Sequence, residues 1–251
     1  MPTQHDTRDK NGPATTDRDR TVAGMQNHLL RALPQSDLEL IVPHLTTVFL
    51  EQGQILIDAG SPVEHVYFPQ TAVVSLLAVM AHGETIETAT VGRNGLIGGI
   101  SGLGRWRTFA RTVVQVPGTA SRIRSEHFRA AFRKSERMRA LIMSSVQSIV
   151  VQIQQTAACN ALHGVEQRLC RWLLVTQDLA ETNVLPLTQS FLSQMLGVRR
   201  TTVTQALGKL ESLQIIRSQR GQIEIVDHKR LEEMVCECYQ DLRSRSNQLA
   251  I

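Results

Sequence analysis

The chain has 251 residues, 42% of them hydrophobic, enough for one large domain or two small ones with a sizeable core. No apolar run approaches the roughly 18 residues of a membrane span, and the opening MPTQHDTRDKNGPATTDRDR lacks the apolar stretch of a secretory signal, which points to the cytoplasm. A net charge of +4 permits an anionic partner without requiring one, 4% aromatic content argues against stacking platforms for single-stranded nucleic acid, and four cysteines (Cys159, Cys170, Cys236, Cys238) are too few and too late for a disulfide scaffold.

Residues 1–22 balance Arg8, Lys10, Arg18 and Arg20 against Asp6, Asp9, Asp17 and Asp19 with almost nothing apolar, the composition of a disordered tail. Two short helices are predicted next, Asn27 to Leu33 and Ser36 to Leu45, separated by Pro34, with Ser36 as an N-cap. From Thr46 to about Ile123, short apolar or alternating runs are punctuated by Gly53, Gly60–Ser61–Pro62, His82–Gly83, Gly92 and Pro117–Gly118. Strands of about five residues at this spacing, with no helix-length pattern between them, predict a compact antiparallel barrel or roll.

The stretch from Ser125 to about Cys159 lacks Gly and Pro. Its second half carries Ile142, Val146, Ile149, Ile153 and Thr156 at alternating steps of four and three, an apolar stripe close to a heptad seam. That stripe is the expected dimer seam. Ten basic residues between Arg105 and Arg139 face only Glu126 and Glu136, which reads as a solvated helix face with anion binding as the alternative. Beyond His163, a helix from Val165 to Thr176 leads to Pro186, and a final amphipathic helix repeats Leu231, Val235, Cys238 and Leu242 behind an Asp227 N-cap.

Between these lies TQSFLSQMLGVRRTTVTQALGKLESLQII. Phe191, Leu192 and Met195 face inward from a first helix, Gly197 supplies the turn, and Val203, Leu207 and Leu210 face inward from a second. The outward face of the second helix holds Arg199, Arg200, Thr201, Thr204, Gln205 and Lys209, with no acid before Glu211. In a major groove Arg suits guanine acceptors, Gln suits adenine edges and Thr suits thymine methyls. Ile215 to Arg217, the SQRG turn and Gln222 to Val226 then predict a hairpin wing. The positions expected to meet DNA are Thr188, Gln189, Ser190, Arg199, Arg200, Thr201, Thr204, Gln205, Lys209 and Arg220.

From about Gln26 to Tyr239 the chain resembles the Crp/Fnr family of bacterial transcription regulators. The resemblance rests on EQGQILIDAGSPVEHVYFPQ, VGRNGLIGGISGLG, NALHGVEQRLCRWLL and LTQSFLSQMLGVRRTTVTQALGKLE, in that order and spacing. It implies an α+β chain: an N-terminal antiparallel β-roll of the cyclic-nucleotide-binding type (jelly roll, 23–134), a long dimerisation helix (135–162) and a C-terminal winged helix-turn-helix (163–251). The expected function is sequence-specific, double-stranded DNA binding by a cytoplasmic homodimer that regulates transcription, with RNA polymerase as a further partner and no membrane. The competing reading is a small-molecule-binding module that acts through protein partners. Catalysis is not expected, because no nucleophile triad, paired-carboxylate motif, phosphate loop or metal signature is present.

The cyclic-nucleotide-binding members of the family hold the ribose hydroxyl with the Glu of a Gly-Glu pair and the cyclic phosphate with a following Arg-Ser/Thr. Here the corresponding run is Gly98–Gly99–Ile100, with Gly99 at the glutamate position, and Arg111–Thr112 match the phosphate pair only with extra residues between. Loss of a charged acceptor costs about 1.5–3 kcal/mol, so cyclic AMP is not the expected ligand and the effector of this pocket is unidentified. No cofactor is expected. The N-terminal cysteine cluster of the family's iron–sulfur sensors is absent, and His28, His44, His65, His82, His127 and His163 are scattered, with no Cys-x-x-Cys-His. Cys236 and Cys238, two apart on one predicted helix, point to different faces with His228 the nearest histidine in sequence, and are expected to be buried thiols without a metal. Members that read TGTGA-type half-sites place Arg, Glu and Arg where this chain has Arg200, Thr201 and Gln205, so a different half-site is expected.

Overall fold

The structure is a computed structural model and describes residues 25–99 and 107–249. The expected tail and Ile100 lie outside those residues. Strands β1 (Thr46–Leu50), β2 (Ile55–Ile57), β3 (His65–Pro69), β4 (Val73–Val79), β5 (Thr85–Val91), β6 (Arg111–Val116) and β7 (Gly118–Arg124) form two antiparallel sheets, ordered β1-β7-β3 and β2-β6-β4-β5. Inward residues of both sheets, among them Leu50, Ile57, Val74, Ala89, Val114 and Ala120, meet in one core. The roll is therefore the predicted one. Strand β7 follows β6 across Pro117 and is the centre of its sheet, pairing β1 (Val48 opposite Ala120) and β3 (Val66 opposite Ile123).

Helices α1 (His28–Arg31) and α2 (Gln35–Leu38) precede the roll. Asn27 caps α1 by accepting from the amides of Leu29 and Leu30. Ser36 does not cap α2, because Pro34 occupies the N-cap position and Ser36 falls inside the first turn. Leu30, Ile41, Phe68, Ile123 and Phe128 close a second core under α3 (Ser125–Lys134). Fully burying side chains of this size is worth about 1.5–3 kcal/mol each. The Gly- and Pro-free stretch is two helices, since Ser135 breaks it and caps α4 (Glu136–Leu162) by accepting from the Met138 amide at 2.9 Å.

The expected dimer seam is corrected by α4. Ile142, Ile149 and Thr156 are buried within the chain itself, Ile149 in the roll core and only 5% exposed. Met143, Val150 and Ile153 are exposed, at 53%, 45% and 39%, with Val146 half-buried beside them. Met143, Val146, Val150, Ile153 and Ala157 step by three and four, so the outward stripe is a heptad shifted from the predicted one.

After a break at His163–Gly164, α5 (Val165–Ala180), β8 (Val184–Leu185), α6 (Gln189–Leu196), α7 (Arg200–Ser212), β9 (Ile216–Gln219), β10 (Gln222–Ile225), α8 (His228–Met234) and α9 (Cys238–Leu249) complete the chain. The wing is three-stranded, β8-β10-β9. Asp227 caps α8 as predicted, accepting from the Arg230 amide at 3.0 Å. The single final helix is corrected to two: Val235 to Glu237 interrupt it, which changes where Cys236 and Cys238 point. One core unites this half, and Leu77 and Val113 of the roll belong to it together with Trp172, Leu173 and Leu207.

Candidate nucleic-acid interface

The α6–α7 unit is a helix-turn-helix built by local chemistry. Thr188 caps α6 with Oγ1 accepting from the Phe191 amide at 3.1 Å. Gly197 adopts φ 63°, the left-handed turn that glycine enters without a Cβ penalty. Arg199 is the N-cap of α7, while Val203, Ala206, Leu207 and Leu210 bury its inner face. Buried Arg168 of α5 donates to the Leu196 carbonyl and so ties the end of α6 to the core; burial lowers its pKa.

The predicted DNA-contacting residues fall into three groups. Thr201 and Gln205 are exposed at the centre of the outward face of α7. Arg200 lines a groove with Thr188, Gln189, Ser190 and Arg220 between α6, α7 and the wing. Thr204 Oγ1 lies on that side, 2.9 Å from Gln189 Oε1. Lys209 sits on the opposite flank, ion-paired with Glu166 of α5, so part of its charge is already matched. Arg217 is likewise paired with Glu224 at 2.7 Å. Arg199, Arg200 and Arg220 make no ion pair among the described residues and carry the free positive charge of this surface. Sequence reasoning missed Gly208: it is exposed on the outward face beside Thr201 and Gln205, and no atom lies within 4 Å of where its Cβ would be, so the α7 backbone is open to close approach there. It also missed the Lys209–Glu166 pair, which joins residues 43 apart in sequence.

The turn of this unit rests on the roll. A Cβ on Gly197 would stand 2.8 Å from Ile86 Cδ1, and Gln194 Nε2 donates to Thr85 Oγ1 at 2.8 Å.

The expected effector pocket is a cavity of about 230 Å³ between the roll and α4. Gly98, Gly99 and Thr112 line it, with Leu76, Ile149 and Ile153 among its apolar walls. Arg111 does not. Its guanidinium is bidentate to Asp58, with Nε to Oδ1 at 2.7 Å and Nη2 to Oδ2 at 3.2 Å, and holds that carboxyl below its ordinary value. Among the described residues no charged side chain lines the cavity. Thr112 Oγ1 is engaged by the Ile57 amide at 3.0 Å. A Cβ on Gly99 would stand 2.5 Å from Leu96 Cδ1, which leaves no room for a side chain unless Leu96 moves. Cys170 is a core thiol, pushed up to about 12 by burial and therefore unreactive.

A β-roll joined by a long helix to a winged helix-turn-helix is the architecture of a ligand-responsive DNA-binding regulator. Residues 47–135 match the cyclic nucleotide-binding domain and residues 167–234 the Crp-like helix-turn-helix domain, together more than half of the chain. The chain belongs to the Crp/Fnr family of transcription regulators. It is 24% identical over 184 residues to the global nitrogen regulator of Synechococcus elongatus, spanning 70% of this chain and 83% of that protein. Among solved structures it is similar to a Crp/Fnr-family transcriptional regulator from Thermus thermophilus (20% identity, 75% of this chain, 97% of that one, TM-score 0.62). It is also similar to FixK2 from Bradyrhizobium japonicum (16% identity, 76% and 98%, TM-score 0.64). Members of the family are transcription regulators rather than enzymes, bind DNA and commonly act as dimers. No helix among the described residues is long and apolar enough to cross a membrane.

Proposed function

We propose that the chain is a cytoplasmic, homodimeric regulator that reads a specific DNA site with α7 and responds, through the roll cavity, to a ligand other than cyclic AMP. The observation that carries this reading is the exposed face of α7. Thr201, Gln205 and Gly208 form a centre free of acids, flanked by Arg199, Arg200 and Arg220, whose charges are unpaired within the described chain. Arg200 offers a guanidinium fork to guanine O6 and N7, and the wing and the α6 N-terminus sit where a phosphate backbone would pass. Two copies paired through the outward stripe of α4 would present two such helices to successive major grooves. Contact with RNA polymerase follows for a regulator bound beside a promoter. The mainly apolar cavity suits a small ligand without a phosphate.

Affinity for a selected duplex and for a scrambled one, measured across a salt series, tests the reading. Arg200→Ala is expected to cost about 1–3 kcal/mol on the selected duplex and little on the scrambled one. Equal loss on both makes Arg200 a phosphate contact. Absence of salt-dependent binding to any duplex would return the helix-turn-helix to the role of a protein-binding surface.

A further inference from the structure

Where the long helix ends, four metal-ligating side chains converge from three places in the fold. Cys159 lies on the last turn of α4 and His163 immediately follows that helix. Cys236 sits in the break between α8 and α9, and Cys238 opens α9. One ligand atom from each lies within 4.8 Å of all the others. The three thiols are buried and His163 is half-buried. Cys159 Sγ is 3.6 Å from Cys236 Sγ, and Cys238 Sγ is 3.5 Å from His163 Nδ1. Zinc–sulfur bonds of about 2.3 Å and zinc–nitrogen bonds of about 2.0–2.1 Å at tetrahedral angles require S···S edges of about 3.8 Å and S···N edges of about 3.5 Å. The Cys159–Cys236 and Cys238–His163 edges have that size, the remaining edges lie within 4.8 Å, and Cys159 and Cys236 are well beyond the roughly 2.05 Å of a disulfide.

Two further contacts point to a cation. The second ring nitrogen of His163, Nε2, lies 3.2 Å from Glu237 Oε1. Metal-binding histidines are oriented in this way, with the distal N–H held by a carboxylate so that the other nitrogen presents its lone pair. Gln155 Nε2 donates to Cys238 Sγ at 3.1 Å, so that sulfur already serves as an acceptor oriented into the cluster. Buried thiols at idle core positions need neither arrangement.

We propose that Cys159, His163, Cys236 and Cys238 bind one zinc ion in a closed tetrahedral site. Three thiolates and an imidazole are the soft, nitrogen-and-sulfur ligand set that selects zinc over the hard divalent cations. All four positions are protein ligands, so the site is structural and leaves no open position for chemistry. Its place in the fold gives the ion a specific task. It fastens the start of α9 and the α8–α9 break to the end of α4, at the His163–Gly164 break where the chain turns from the long helix into α5. The direction in which the DNA-binding half leaves the long helix is thereby set by four bonds rather than by apolar packing alone. This assignment stands apart from the DNA-binding reading and from the identity of the effector.

The test uses the full chain without an affinity tag, purified in reductant and passed through gel filtration. Elemental mass spectrometry is expected to find one zinc per chain, released when a mercurial blocks the thiols and captured by a chromogenic chelator. Glu237→Gln, an exposed change, is expected to keep the fold and weaken zinc binding by about 10–100-fold. Cys159→Ser is expected to abolish stoichiometric zinc. Should that variant fail to fold, cobalt added to the metal-stripped wild-type protein decides: the expected spectrum has thiolate-to-cobalt charge transfer in the near ultraviolet and intense tetrahedral d–d bands. Protein that carries no zinc and takes none up, a Cys159–Cys236 disulfide in freshly isolated chains, or a six-coordinate cobalt spectrum would overturn the proposal.

Discussion

Glu87 is a carboxyl group buried where the roll meets the DNA-binding half. Ser75 Oγ lies 2.5 Å from Glu87 Oε2 and 2.9 Å from Gln115 Oε1; Gln115 Nε2 donates to Thr176 Oγ1 at 2.7 Å, and Thr176 donates to the Trp172 carbonyl at 2.8 Å. Ser75 has one proton to give. If Glu87 is ionised, that proton goes to the carboxylate and Gln115 Oε1 loses its donor. If Glu87 is protonated, it donates to Ser75 and every link from β5 to α5 is satisfied. Burial accordingly pushes the Glu87 carboxyl above its ordinary value, against the pull of Ser75, Thr90 and the Arg171 guanidinium. The folded chain thus binds this proton more tightly than the unfolded chain. The stability it confers is fully present below the unfolded pKa and is lost as pH rises through the folded one, by about 1.4 kcal/mol for each unit between them. Glu87→Gln removes that loss. Its melting temperature is expected to exceed that of the wild type at pH 8 and to converge with it in acid; a constant difference across pH would show that Glu87 does not titrate on unfolding. Strict alternation along Thr85 to Val91 would put Glu87 on the face of Ala89 and Val91, but a register shift sets it opposite Leu77, facing the DNA-binding half, while Ala89 lies opposite Leu76 in the roll core.

At the scale of elements, local and long-range signals separate cleanly. The helix-turn-helix is readable in the sequence because its determinants are local: a threonine cap at 188, a left-handed glycine at 197 and apolar residues at helical steps. The long helix is harder. It carries two apolar stripes one residue apart, Ile142–Ile149–Thr156 and Met143–Val150–Ala157, and periodicity cannot say which of them turns toward the roll. The structure gives the first to the chain's own core and leaves the second exposed, with Val146 half-buried and Ile153 exposed beside it. Opposite phenotypes are expected. Ile149→Glu puts a charge into the roll core and should destabilise each chain by several kcal/mol. Val150→Glu with Ile153→Glu should leave the melting of the isolated chain nearly unchanged while sedimentation shows monomers. A double variant that still sediments as a dimer places the seam elsewhere. The convergence of Cys159, His163, Cys236 and Cys238 is likewise hidden from sequence, because the break at Val235 to Glu237 turns what reads as one continuous helix into two.

For the whole molecule, the same residues of α4 serve two surfaces. Val146 and Ile153 line the roll cavity and also belong to the outward stripe, so a ligand in the cavity would press on side chains of the proposed dimer face. At its other end the roll holds the helix-turn-helix through Ile86 against Gly197 and Thr85 against Gln194, and the Gln115–Thr176 bond joins the two halves between these points. A ligand that shifts β4, β5 or α4 therefore has a mechanical route to α7, and the chemistry of the cavity decides which ligands can use it. A cyclic nucleotide brings a phosphate whose negative charge needs a cation in the pocket, and a ribose hydroxyl that needs an acceptor. The cavity supplies neither from the described residues. Arg111 is neutralised by Asp58 outside it, and position 99 carries no side chain to serve as the acceptor. Burying the phosphate unpaired would cost more than contacts to Leu76 and Ile149 return. A ligand present at 100 times its dissociation constant raises stability by about 2.7 kcal/mol, a shift readily seen in melting. Millimolar cyclic AMP is therefore expected to leave the melting temperature and the DNA affinity of the full-length protein unchanged, and a clear rise in either would overturn the exclusion of cyclic AMP.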